Sequence, residues 1–107
     1  MKTEKDLQKF ITRYCKQQGV FCQKTESRSA RGFPDLMLAR DGLVLFMELK
    51  TPAGTGRLSA LQLKRHREMR AAGLRVEVVA CPDEAVMIID ILAGAAGSRR
   101  SSCPERS

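Results

Sequence analysis

The chain has no apolar run long enough to cross a bilayer. Its longest, Leu43–Met47 and Ala85–Ile89, fall far short of the ~20 residues that a spanning helix needs. No apolar stretch follows the charged start Met1-Lys2-Thr3-Glu4-Lys5-Asp6, so no secretory leader is read there and a cytoplasmic protein is expected. The four cysteines, Cys15, Cys22, Cys81 and Cys103, include no C-x-x-C pair, and His66 is the only histidine. A zinc site needs a close set of such ligands, so none is expected and the cysteines are read as reduced thiols. No internal repeat is present, and 107 residues amount to one domain.

Acidic residues are outnumbered, with 12 Asp and Glu against 19 Lys and Arg and a net charge of +7. Arg99, Arg100 and Arg106 lie near the C-terminus, so most of the excess belongs to the body of the chain. A small basic domain suits a polyanion such as nucleic acid, although charge that merely keeps a protein soluble would look the same. Charge says nothing about catalysis.

The remaining signals are local. Leu7, Phe10, Ile11, Tyr14 and Cys15 recur at helical spacing over Thr3–Gln18, with Thr3 as N-cap and Gly19 as stop. Val20–Ser27 holds a weak strand, Leu36–Ala39 a short one and Leu43–Lys50 a longer one, the last two joined by the hairpin signal Asp41-Gly42. Ser59 and Gln62 fit a capping box that opens a basic helix running to about Ala72. Leu74–Ala80 reads as a strand, and Asp83 to about Ala93 as a final helix. The expected fold is α/β, a small mixed β-sheet flanked by helices, occupying residues 1–96. Residues 97–107 read as a disordered basic tail.

Within this frame, three charged residues stand where apolar ones are expected. Asp35 follows the Gly32-Phe33-Pro34 turn and opens a strand. Glu48 and Lys50 sit two apart in an apolar strand and so share a face. Such charges are costly unless paired or bound to a metal. A structural ion network would satisfy them, and so would a hard divalent cation held by the two carboxylates, with the lysine beside the reacting group. Convergence on hairpin-linked strands, with basic glycine-containing loops nearby, favours the second reading. Glu4 lies on the same side of the first helix as Leu7 and Ile11, where the helix dipole alone accounts for a first-turn acid.

Gly32-x-Pro34-Asp35-Leu36, then Glu48-Leu49-Lys50, then Leu58-Ser59-x-x-Gln62 with Ala72-Gly73 closing the helix, closely resembles the VRR-NUC group of the PD-(D/E)XK nuclease superfamily. The resemblance runs from about Glu4 to Ile91 and implies a restriction-endonuclease-like core of order αβββαβα. It implies a Mg²⁺- or Mn²⁺-dependent DNA endonuclease. Asp35 and Glu48 match the metal-binding acids, the Leu49 carbonyl a further ligand, Lys50 the catalytic lysine and Gln62 the glutamine after the core. Glu4 matches a helix-borne acid that points into the site and reaches the metal directly or through water. The chain looks like the stand-alone form of phages and bacteria, whose members resemble homodimeric Holliday-junction resolvases acting on branched DNA. Arg28, Arg31, Arg57, Lys64 and Arg65 flank the motif and are candidate phosphate contacts. The rival expectations are a non-catalytic nucleic-acid-binding module that keeps the nuclease fold, and a nuclease subunit targeted by a partner.

Overall fold

The computed structural model describes residues 3–25, 32–50 and 58–102, with 95–102 described by backbone alone. Seven elements follow one another: α1 (Glu4–Gln18), β1 (Phe21–Lys24), β2 (Leu36–Arg40), β3 (Leu43–Leu49), α2 (Ala60–Ala71), β4 (Arg75–Val79) and α3 (Pro82–Ser102). This is the expected αβββαβα order, an α/β fold with one small mixed sheet.

Local chemistry sets most boundaries. The Thr3 hydroxyl accepts from the Asp6 amide at 3.0 Å and caps α1, which ends at Gly19 in the left-handed region (φ 73°). The Ser59 hydroxyl accepts from the Gln62 amide while the Gln62 side chain accepts from the Ser59 amide, a complete capping box on α2. Asp41 (φ 48°) and Gly42 (φ 86°) both take positive φ, the backbone of a tight hairpin turn between β2 and β3. At the start of α3, Glu84 Oε1 accepts from the Ala80 amide at 2.7 Å. That helix continues past its expected end near Ala93 to Ser102. Extending an existing helix through Ala95 and Ala96 costs far less than nucleating a new one.

The sheet order is β1-β2-β3-β4. β1, β2 and β3 form an antiparallel meander, and β4 pairs with β3 in parallel. Parallel neighbours cannot be joined by a tight turn, and α2 supplies the crossover. The main core lies on one face of the sheet. There Leu7 and Ile11 of α1 and Ile89 and Leu92 of α3 meet Leu38, Met47 and Leu49 of the strands. The Tyr14 hydroxyl donates to Asp90 at 2.6 Å and ties α1 to α3 at the rim. On the other face Phe46, Met69 and Val76 make a smaller cluster beneath α2, with Phe33 edge-on to Phe46. Glu48 falls on this second face by strand alternation, two residues beyond Phe46.

Gly32 joins the Pro34 turn to α2. It holds φ 80°, and a Cβ there would stand 2.8 Å from the Leu61 carbonyl oxygen. Only a residue without a side chain lets this turn meet the first turn of α2 so closely.

Candidate active site

Asp35 is fixed by its backbone neighbours. The Thr25 amide donates to the Asp35 carbonyl at 3.0 Å, and the Thr25 hydroxyl donates to the carbonyls of Pro34 and Asp35. This ties the turn to the end of β1. The register Leu36↔Met47 sets Asp35 one step further out, opposite Glu48 and on its face. From there Asp35 Oδ2 accepts from the Leu49 amide at 2.8 Å.

Glu48 is only 2% exposed. Its Oε2 accepts from Gln62 Nε2 at 3.1 Å, and its Oε1 lies 3.2 Å from His66 Nε2. Burial pushes its pKa up to about 8, aided by a hydrogen bond with Asp35, by the Asp35 charge and more weakly by Glu4; the nearby Lys50 opposes this. The site therefore gathers acidic groups in a place shielded from water, where a cation is the natural compensation. Lys50 is half-buried, and its amide donates to the Val79 carbonyl at 2.9 Å, continuing the β3–β4 pairing one residue past the strand.

Gln62 serves two ends at once. Its Oε1 completes the helix cap and its Nε2 reaches Glu48. One turn further along α2, His66 is 1% exposed, its pKa held below the usual imidazole value by burial and then by the Arg70 charge, against an opposing effect of Asp35. Its Nδ1 has no hydrogen-bond partner. Glu4 lines the opposite wall: an open cleft of about 450 Å³ is bordered by Glu4, Lys5, Gln8, Lys24, Asp35 and Leu49.

Glu4, Asp35, Glu48, Leu49, Lys50 and Gln62 are thus brought together. Lys64 on α2 is exposed, while Arg65 pairs with Glu68 at 2.9 Å. Arg28, Arg31 and Arg57 lie outside the described residues. Among the described residues no three His, Cys, Asp or Glu side chains form a ready metal cluster. Asp35 and Glu48 offer carboxylate oxygens in a desolvated, acid-rich pocket, a donor set that suits a hard, oxygen-seeking divalent ion.

No protein-family model matches the chain, and no curated protein matches it significantly. A solved structure described as a VRR_NUC domain is similar, with a TM-score of 0.70 and 25% identity over 81% of this chain and 94% of that one. The chain folds as a VRR-NUC domain. That is a nuclease-domain fold. No helix among the described residues is long and apolar enough to cross a membrane.

In this VRR-NUC domain several residues near the acids carried no sequence signal of their own. Lys5, Gln8 and Lys24 border the cleft because α1 and β1 pack side by side, which spacing alone does not reveal. Thr25 was an ordinary polar residue at a strand end. His66 had one usable signal: it stands four positions after Gln62, on the same helix face.

Proposed function

We propose that this chain is a metal-dependent endodeoxyribonuclease that hydrolyses phosphodiester bonds of branched DNA in the manner of a Holliday-junction resolvase. The observation that carries this is the meeting of Asp35 and the buried Glu48 at the open end of β2 and β3, with Lys50 following on the same strand face.

Asp35 and Glu48 would hold Mg²⁺ or Mn²⁺, with the Leu49 carbonyl and Glu4 completing the oxygen set directly or through water. When bound, such an ion would polarise the phosphate and lower the pKa of a water. Lys50 orients the attacking water and offsets negative charge growing on the phosphoryl oxygens. The water oxygen forms the new bond to phosphorus, the bridging P–O bond breaks, and the departing oxygen takes up a proton. Gln62 keeps the Glu48 carboxylate aimed at the cleft. Lys5 and Lys24 in the cleft wall, and Lys64 on α2, offer positive charge to the flanking phosphates, as do Arg65, Arg28, Arg31 and Arg57.

The enzyme acts as a homodimer in this reading. Met87 and Ile91, one turn apart on α3, are 62% and 59% exposed, and Leu43 and Val44 are exposed nearby. A two-fold pairing through this apolar face would set two sites on one junction.

Incubating the protein with linear, flap and four-way DNA in Mg²⁺, Mn²⁺ or Ca²⁺ tests the proposal. Mg²⁺ or Mn²⁺ should support cutting, four-way DNA should be cut best, and Ca²⁺ should support binding with little cutting. Tight binding with no cutting in any metal would favour a non-catalytic module.

A further inference from the structure

Among the described residues the buried polar side chains are Glu48 and His66, and the mechanism leaves His66 without a task. It is 1% exposed and stands beneath Glu48, with Nε2 3.2 Å from Oε1. An ionised carboxylate only accepts hydrogen bonds, so with Glu48 charged the imidazole donates through Nε2. Gln62, one turn earlier on α2, donates to the other oxygen at 3.1 Å. Two donors from one helix, one on each oxygen, fix the plane of the carboxylate and leave each oxygen further acceptor capacity toward Asp35.

We propose that His66 is a positioning residue: together with Gln62 it clamps Glu48 in the orientation that lets Asp35 and Glu48 share one divalent cation. This rests on the metal-dependent reading above and adds to it a residue that never touches the ion or DNA. A histidine that only filled space would be replaceable by any apolar side chain of similar size. The clamp requires a donor at the Nε2 position. Ligating carboxylates commonly depend on such outer partners, and losing one typically weakens metal binding or activity 10–100-fold.

The test is Mn²⁺ titration of the DNA-free protein by calorimetry, with folding followed by circular dichroism. His66→Phe fills the space without a donor, and His66→Met is a more adaptable donor-free filler should the ring fail to fit. His66→Gln restores an amide donor on a side chain of similar reach. Folded donor-free protein should bind Mn²⁺ about 10–100-fold more weakly, and His66→Gln should recover most of that loss. Cleavage by the donor-free variants should fall through kcat, with KM for DNA unchanged. Wild-type Mn²⁺ affinity in either folded donor-free variant would overturn the clamp and leave the nuclease reading standing. Equal weakness of His66→Gln and His66→Phe would also overturn it. Absence of Mn²⁺ binding by the wild-type protein would instead remove the metal reading itself, and the clamp with it.

Discussion

Gln62 donates from Nε2 to Glu48 at 3.1 Å while its Oε1 accepts from the Ser59 amide at 2.9 Å. One side chain therefore closes the start of α2 and braces an acid on β3. The two duties separate by mutation. Ser59→Ala removes the hydroxyl cap alone and should cost about 1 kcal/mol, a fall of roughly 4–8 °C in Tm, with cleavage nearly intact. Gln62→Ala should cost a similar stability and also reduce cleavage by about 10–100-fold. Thermal melts and single-turnover rates on the two variants check this; equal rates would leave Gln62 with only its capping role.

Gly32→Ala should be among the most damaging glycine substitutions. It combines a left-handed φ of 80° with a Cβ 2.8 Å from the Leu61 carbonyl oxygen. Left-handed backbone costs a side-chain-bearing residue about 1–2 kcal/mol, and the contact adds roughly 1–3 kcal/mol more. Gly42→Ala has a similar φ of 86° but meets nothing within 4 Å, so it should show the backbone cost alone. Denaturant midpoints of the two variants make the comparison, and similar losses would contradict the close approach to Leu61.

Binding should weaken steeply as salt rises. Each phosphate contact to duplex DNA contributes a slope of about −0.9 in log K against log salt. Lys5→Ala and Lys24→Ala should each make the slope shallower by roughly this amount if the cleft wall carries phosphates. Fluorescence anisotropy in Ca²⁺ at several salt concentrations measures it. Slopes that match the wild type would move the DNA path away from α1 and β1.

The elements legible in the sequence are those fixed by neighbouring residues. Thr3 with Asp6, Ser59 with Gln62, and Asp41 with Gly42 each set a boundary through side chain–backbone bonds or a required φ. Asp35 and Glu48 were legible because strand alternation and a short hairpin put them opposite one another. His66 was not, because α2 has no clear apolar stripe. Leu61 and Leu63 are 39% and 44% exposed, while the residues buried against the sheet are His66 and Met69. A helix whose inward face carries Gln62 and His66 hides its orientation from hydrophobic spacing. Lys5 and Lys24 depend on which helix packs beside which strand, a tertiary fact that no local pattern encodes.

A dimer should register directly in mass. Light scattering at micromolar concentration should give twice the mass of one chain, and Ile91→Asp, which places a charge on an exposed apolar face of α3, should shift it toward one. A single-chain mass with undiminished cutting of four-way DNA would remove the dimer from the account.

The most direct test of the central claim is cleavage of four-way DNA by wild-type protein, Glu48→Ala and Lys50→Ala, with Mg²⁺ and after exhaustive EDTA. Wild-type protein should cut with Mg²⁺ and stop without it. Both variants should stay folded and lose on the order of 10²–10³ or more in rate. Glu48→Ala should also bind metal more weakly, and Lys50→Ala should bind it nearly as well as wild type. Cutting that survives EDTA, or full activity in Glu48→Ala, would contradict the account.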